Sequence, residues 1–162
     1  MKSREEILAT LSATPNRIKD LTHNLADTQL RQGPKTGEWS VGEIVKHLLL
    51  GERDLILPRL RRMRTGDAPR FSSSLMDETG FAAKPISNCF SIDLETFCAA
   101  REETLSFLAS LSDQEWQFPG TTPTRGTLTV EAYAEYLANH DLGHLEQLRQ
   151  TRRAIIGRSD PR

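Results

Sequence analysis

The residues with most chemistry to offer are histidines. His140 and His144 are four positions apart, and on a helix that spacing puts both imidazoles on one face, one turn apart. A helix can clamp one metal ion with such a pair. Tyr133, Leu137, His140, His144 and Leu148 step by three or four residues, so the pair runs along an apolar stripe rather than a wet face. His47 sits beside Ile44 and Leu48, at the edge of a second apolar face. A buried polar group left alone costs about 1–3 kcal/mol, and a divalent ion shared by three neutral imidazoles satisfies all of them. Three nitrogen ligands leave a position for water or substrate, as in catalytic rather than structural zinc sites. Spacing alone leaves the plainer alternative open: core histidines with backbone partners. His23 lies off the stripe of its own helix and reads as a surface residue or as one supporting the ligands from behind.

Metal-assisted hydrolysis also calls for a general base, and two carboxylates are candidates. Glu43 lies one turn before His47, where it can orient the imidazole, although a helix-capping role competes for it. Glu52 follows on the same stretch and is the tentative catalytic residue, with a solvated surface role as the alternative. Cys98 fits a core position and Cys89 falls in a connection, so both read as structural thiols. Arg59, Arg61, Arg62 and Arg64 near a helix C-terminus read as a solvated face that complements the helix dipole, in preference to an anion site.

Four helical stretches must position these groups. The first spans about Arg4 to Leu30, interrupted by Pro15, where the helix either kinks or restarts behind a Thr14 cap. The second starts at Ser40, where Ser40 and Glu43 form a capping box and Trp39 can staple onto Ile44; Pro58 is a possible kink. Residues 65 to 90 form a long connection rich in Gly, Pro and Ser, the length of a bundle crossover that can cover a site. The third helix runs from about Ile92 to Leu111, and a short capped turn follows at Ser112–Trp116. Phe118 to Gly126 reads as a loop, and the fourth helix runs from a Thr129 cap to about Ile155. With no convincing strand alternation, the class is all-α: one four-helix bundle over residues 1–156 with a long crossover, then a frayed tail at 157–162.

Composition excludes several function classes. Lysines and arginines number 21 against 22 acidic residues, which gives no electrostatic reason for nucleic acid as a partner. No apolar run approaches the roughly 20 residues of a membrane span, and the N-terminus lacks the pattern of a signal peptide. Two cysteines are too few for a disulfide framework, so a cytoplasmic, reduced protein is expected.

Two motifs carry a family resemblance. Trp39-Ser40-Val41-Gly42-Glu43-Ile44-Val45-Lys46-His47-Leu48 resembles the Trp-Ser-x-x-Glu-x-x-x-His-Leu motif of the DinB-like (DinB/YfiT) superfamily, and His140-Asp141-Leu142-Gly143-His144-Leu145-Glu146-Gln147-Leu148 resembles its His-x-x-x-His-x-x-Gln-Leu motif. Segments at Ala99–Leu105 and Leu111–Trp116 also fall where relatives carry similar ones, and the likeness spans about residues 5 to 150. The resemblance implies a four-helix bundle with a crossover. It also implies a divalent metal, zinc or nickel foremost, held by His47, His140 and His144, and a homodimer. Two activities are implied for members: metal-dependent hydrolysis of a small molecule, or transfer or isomerisation with a low-molecular-weight thiol such as mycothiol or bacillithiol. A non-catalytic metal-binding stress-response module is the third expectation.

Overall fold

Ser3, Ser40, Ser112 and Thr129 each begin a helix by accepting an orphan amide at its first turn. Behind the three serines, Glu6, Glu43 and Glu115 return the contact to the cap amide and close full capping boxes. The computed structural model describes residues 2–72 and 89–157. Helix α1 spans Arg4–Thr22, α2 Asp27–Leu30, α3 Val41–Gly51, α4 Leu57–Met63, α5 Phe90–Ala109, α6 Asp113–Trp116 and α7 Val130–Ile156. Between α3 and α4 the chain does not stop but widens into a π turn, Glu52–Ile56. Most of the expected crossover, and the tail beyond Gly157, lie outside the described residues.

The principal contacts run α1–α7, α1–α5, α3–α5 and α3–α7. This is a closed ring of four in which α1 and α3, neighbours in sequence, lie across from one another. The four-helix bundle expected from sequence is therefore present, with the connectivity of a crossover bundle.

Three local departures have physical causes. The first predicted helix ends early, at Thr22, and a separate turn forms at Asp27–Leu30; Asn24 between them takes a positive φ of 61°, which helical backbone does not allow. Pro15 neither kinks α1 into two helices nor opens a second one. It lacks the amide that would bond Leu11 carbonyl, and the Arg101 guanidinium donates to that carbonyl instead, at 3.0 Å. Pro58 likewise withholds an amide, and the backbone absorbs this in the preceding π turn, where Leu57 N–H donates to Glu52 carbonyl. The third departure is the loop expected at Phe118–Gly126, which is instead a hairpin: β1 Pro119–Thr122 pairs antiparallel with β2 Gly126–Thr129. Gly126 turns it with φ +68°. Gly120 lets β1 press onto α4, since a Cβ there would meet Met63 at 2.7 Å.

The apolar interior falls into two clusters. One, around Leu11, Leu60, Met63, Tyr133 and Leu137, lies at the hairpin end. The other gathers Ile18, Ile44, Val45, Phe97, Leu145 and Leu148. Glu52 at the start of the π turn, Arg101 on α5 and Asp141 on α7 are polar residues among these apolar ones, and all three are buried.

Candidate metal centre

The three histidines predicted to converge are positioned by two helices. His47 projects from α3 after its capped first two turns. His140 and His144 stand one turn apart in the middle of α7, flanked by buried Leu137 and Leu145. The structure brings all three together: His47 Nε2 is 3.1 Å from His140 Nε2, and His144 Nε2 is 3.1 Å from the same atom. All three candidate ligand atoms lie within 4.8 Å of one another. Two imidazoles on one tetrahedral zinc ion, at about 2.0–2.1 Å each, have nitrogens roughly 3.3 Å apart, so the observed spacing suits a shared ion. Among the described residues, no other group of three histidine, cysteine or carboxylate side chains converges in this way. His23 is exposed and apart from it, as expected.

The tautomers point the same way. His144 Nδ1 is 2.8 Å from Gln147 Oε1. A carbonyl oxygen only accepts, so Nδ1 carries the proton and Nε2 offers a lone pair. His140 Nε2 carries either one proton or one in-plane lone pair, so it can make a well-directed hydrogen bond to only one of its two neighbours and leaves the other 3.1 Å contact without one. A cation at the centre satisfies the whole set. Burial, reinforced by the nearby His144, His47, Arg125 and Arg101, holds His140 down to about 3. Burial also lowers His144, against the bond to Gln147 and the charge of Asp141, which raise it. At neutral pH these rings are therefore uncharged, the form that ligates.

Beside the cluster opens a cavity of about 390 Å³. Trp39 forms one wall, with its ring centroid 5.0 Å from that of His47 and nearly parallel to His144 at 6.1 Å. It also packs against the apolar cluster to which Ile44 belongs. Tyr133, Tyr136, Arg59, Thr122 and Arg125 also line it, and no carboxylate does so among the described residues.

The two candidate acids are placed elsewhere. Glu43 is a cap: one of its carboxylate oxygens accepts from both the amide and the hydroxyl of Ser40, each at 2.7 Å. Glu52 is 1% exposed, which corrects the solvated reading. Both its oxygens accept from Arg101, at 2.7 and 2.5 Å, and it does not line the cavity, so this geometry gives it no role as general base. Arg101 also donates to both oxygens of Asp141, at 2.5 and 3.1 Å. Burial opposes the guanidinium charge, but the two carboxylates outweigh it and the group stays ionised.

This three-residue charge network escaped the sequence reading. A signal was present, since Arg101, Glu52 and Asp141 each interrupt an apolar stripe with a charge of complementary sign. The basic run divides. Arg61, Arg62 and Arg64 are solvated and pair with Glu103, Asp67 and Glu115. Arg59 is 7% exposed, lies over the Phe71 ring at 5.2 Å and lines the cavity, so the solvated-face expectation fails for it. Cys98 is half-buried and Cys89 exposed, both as free thiols.

Comparison with known proteins agrees with this architecture. The sequence pattern of the DinB superfamily matches residues 10–148. The chain is 23% identical over 144 residues to the uncharacterized protein YuaE of Bacillus subtilis (strain 168), covering 81% of this chain and 88% of that one. Its fold is similar to that of YfiT from Bacillus subtilis, described as a probable metal-dependent hydrolase with an unusual four-helix bundle topology. The TM-score is 0.75 at 21% identity, with 93% of this chain and 89% of YfiT covered. No helix among the described residues is long and apolar enough to cross a membrane.

Proposed function

We propose that this chain, which belongs to the DinB superfamily, holds a divalent metal ion on the Nε2 atoms of His47, His140 and His144 and hydrolyses a small molecule in the adjoining cavity. The observation that carries this reading is the pair of 3.1 Å Nε2 separations at the edge of a cavity. The description of YfiT as a probable metal-dependent hydrolase supports it. An ion held by three neutral imidazoles polarises a substrate oxygen and acidifies the water it binds. The chain's own part is positional. Gln147 fixes the His144 tautomer, burial keeps His140 uncharged, and Trp39 walls the cavity from the side of α3. Imidazole suits zinc and nickel alike, and these two are the metals to test.

The test is metal content by elemental analysis of the purified protein, followed by a panel of ester, amide and phosphoester substrates. Activity should vanish on chelation, return with zinc or nickel, and be lost in His47→Ala, His140→Ala and His144→Ala alike. Turnover that survives all three changes would reject the mechanism.

A second reading is favoured by the lining of the cavity, which among the described residues offers cations and neutral groups but no carboxylate base. In a thiol-dependent transferase the metal activates a small thiol as its thiolate, and the protein needs no base of its own. Turnover with an electrophilic substrate only when a low-molecular-weight thiol is supplied would select this reading. Turnover without thiol excludes it.

A further inference from the structure

The hairpin turn carries a cation that shares a cavity with the histidine cluster. Arg125 sits at the turn between β1 and β2, where its amide donates to Thr122 Oγ1 at 3.2 Å. Its guanidinium carbon lies 3.4 Å from the centroid of the Tyr136 ring, and Tyr136 in turn lies 5.7 Å from the His140 ring. The two steps, 3.4 and 5.7 Å, put the guanidinium within about 9 Å of His140. Arg125 lines the cavity, and its charge is among those felt by His140. No ion pair involves it among the described residues, whereas Arg61, Arg62, Arg64 and Arg101 all have carboxylate partners. Stacking on an aromatic face leaves the in-plane N–H donors of a guanidinium free for a planar anion. Arg59 adds a second cation to the lining of the cavity.

We propose that Arg125 selects the substrate by binding an anionic group, carboxylate or phosphate, on a small molecule whose reacting oxygen is presented to the three histidines. The substrate class is thus a small organic anion with its charge set apart from the bond that reacts. This inference rests on the metal reading above. It accounts for a cavity that carries two arginines and, among the described residues, no carboxylate. A guanidinium within about 9 Å of the histidine cluster can hold an anionic group while a second, reacting group of the same molecule lies at the histidines, and it favours such a molecule over a neutral analogue that offers it no charge-assisted bond.

The test is calorimetric titration of the zinc-loaded full chain with succinate, glutarate, adipate and 3-phosphonopropionate, with acetate and dimethyl glutarate as controls. Zinc stoichiometry is measured first. The variants are Arg125→Ala, Arg125→Lys and Arg149→Ala, the last an exposed arginine away from the cavity. In the unaltered chain at least one dianion should bind about tenfold or more tighter than acetate, the scale of one charge-assisted bidentate contact. Arg125→Ala should erase that advantage while leaving acetate binding and zinc content unchanged, and Arg125→Lys should retain part of it. The tighter of the carboxylate and phosphonate probes identifies the anion. Equal dianion affinity in Arg125→Ala and the unaltered chain, or dimethyl glutarate binding as tightly as glutarate, overturns the inference with the metal centre intact. Failure to take up zinc or nickel overturns the metal reading, and this inference with it.

Discussion

Two polar clusters are built on the same helices, almost within the same residues, and they end in opposite states. Asp141 follows His140 directly, and Glu52 lies five residues after His47. In the Glu52–Arg101–Asp141 network the four carboxylate oxygens each accept from one guanidinium, which has a fifth bond left for Leu11 carbonyl. Its charges are spent on each other, and it lies out of reach of solvent. In the histidine cluster three nitrogens face one another at the edge of a cavity, and Gln147, bonded to His144 from outside, turns a lone pair towards the centre. The difference teaches how to tell structure from function in one bundle. A buried polar set that closes on itself serves the fold, and one that converges without closing is the place to test for a ligand.

That contrast can be broken most forcefully at Arg101. Arg101→Met leaves two buried carboxylates without their cation, and denaturant unfolding should show a loss of about 3–5 kcal/mol. Replacing Glu52, Arg101 and Asp141 together by apolar residues should recover most of it. A triple variant no better than the single one would show that the network does more than neutralise itself.

The pH dependence of the metal-free protein sharpens the other side. His140 falls from its ordinary 6.5 to about 3 in the fold, so between those values the unfolded chain binds a proton that the folded chain does not. Stability should therefore be unaffected by this group above pH 6.5. It should fall as the pH drops towards 3, with a slope of up to about 1.4 kcal/mol per pH unit for one proton. His140→Ala should flatten that slope in urea titrations at successive pH values. An unchanged slope would mean that the ring is not held neutral.

Smaller effects belong to the supporting residues. Gln147→Ala releases the His144 tautomer, and competition with a chelator should show zinc affinity falling by about tenfold, the low end for an outer partner of a metal ligand. The mildest change is Ser40→Ala, which removes the hydroxyl half of a capping box for about 1 kcal/mol. Zinc affinity per folded molecule should not move, and if it did, the cap of α3 would be setting the position of His47 directly.

Much of this was legible in the sequence because short-range rules dictate it. Ser40 with Glu43, Ser112 with Glu115 and the Thr129 cap each need only their own neighbours, and each appears where its motif stands. The histidine pair was readable because a helical period fixes which residues share a face. What escaped depends on contacts between distant segments. Glu52 could be a surface acid or a buried one by local rules alone, and Arg101, 49 residues away, decides the matter. Arg59 was read with its basic neighbours, yet the phase of α4 turns it inward while Arg61, Arg62 and Arg64 stay wet. Strands of four residues are too short for alternation to declare itself, so the hairpin bearing Arg125 passed for a loop.

The widened turn at Glu52–Ile56 is in effect a one-residue insertion that the helix carries without breaking. Each residue advances an α-helix by about 100°, so everything downstream is rotated by that much relative to an uninterrupted spiral. Excising one residue from this segment would wind α3 into α4 as a continuous rod and swing Arg59 off the cavity wall, while Leu60 and Met63 would leave the interior they now fill. The chemistry around the histidines is in this sense tuned by a counting error in the backbone, one that selection can add or delete in a single step.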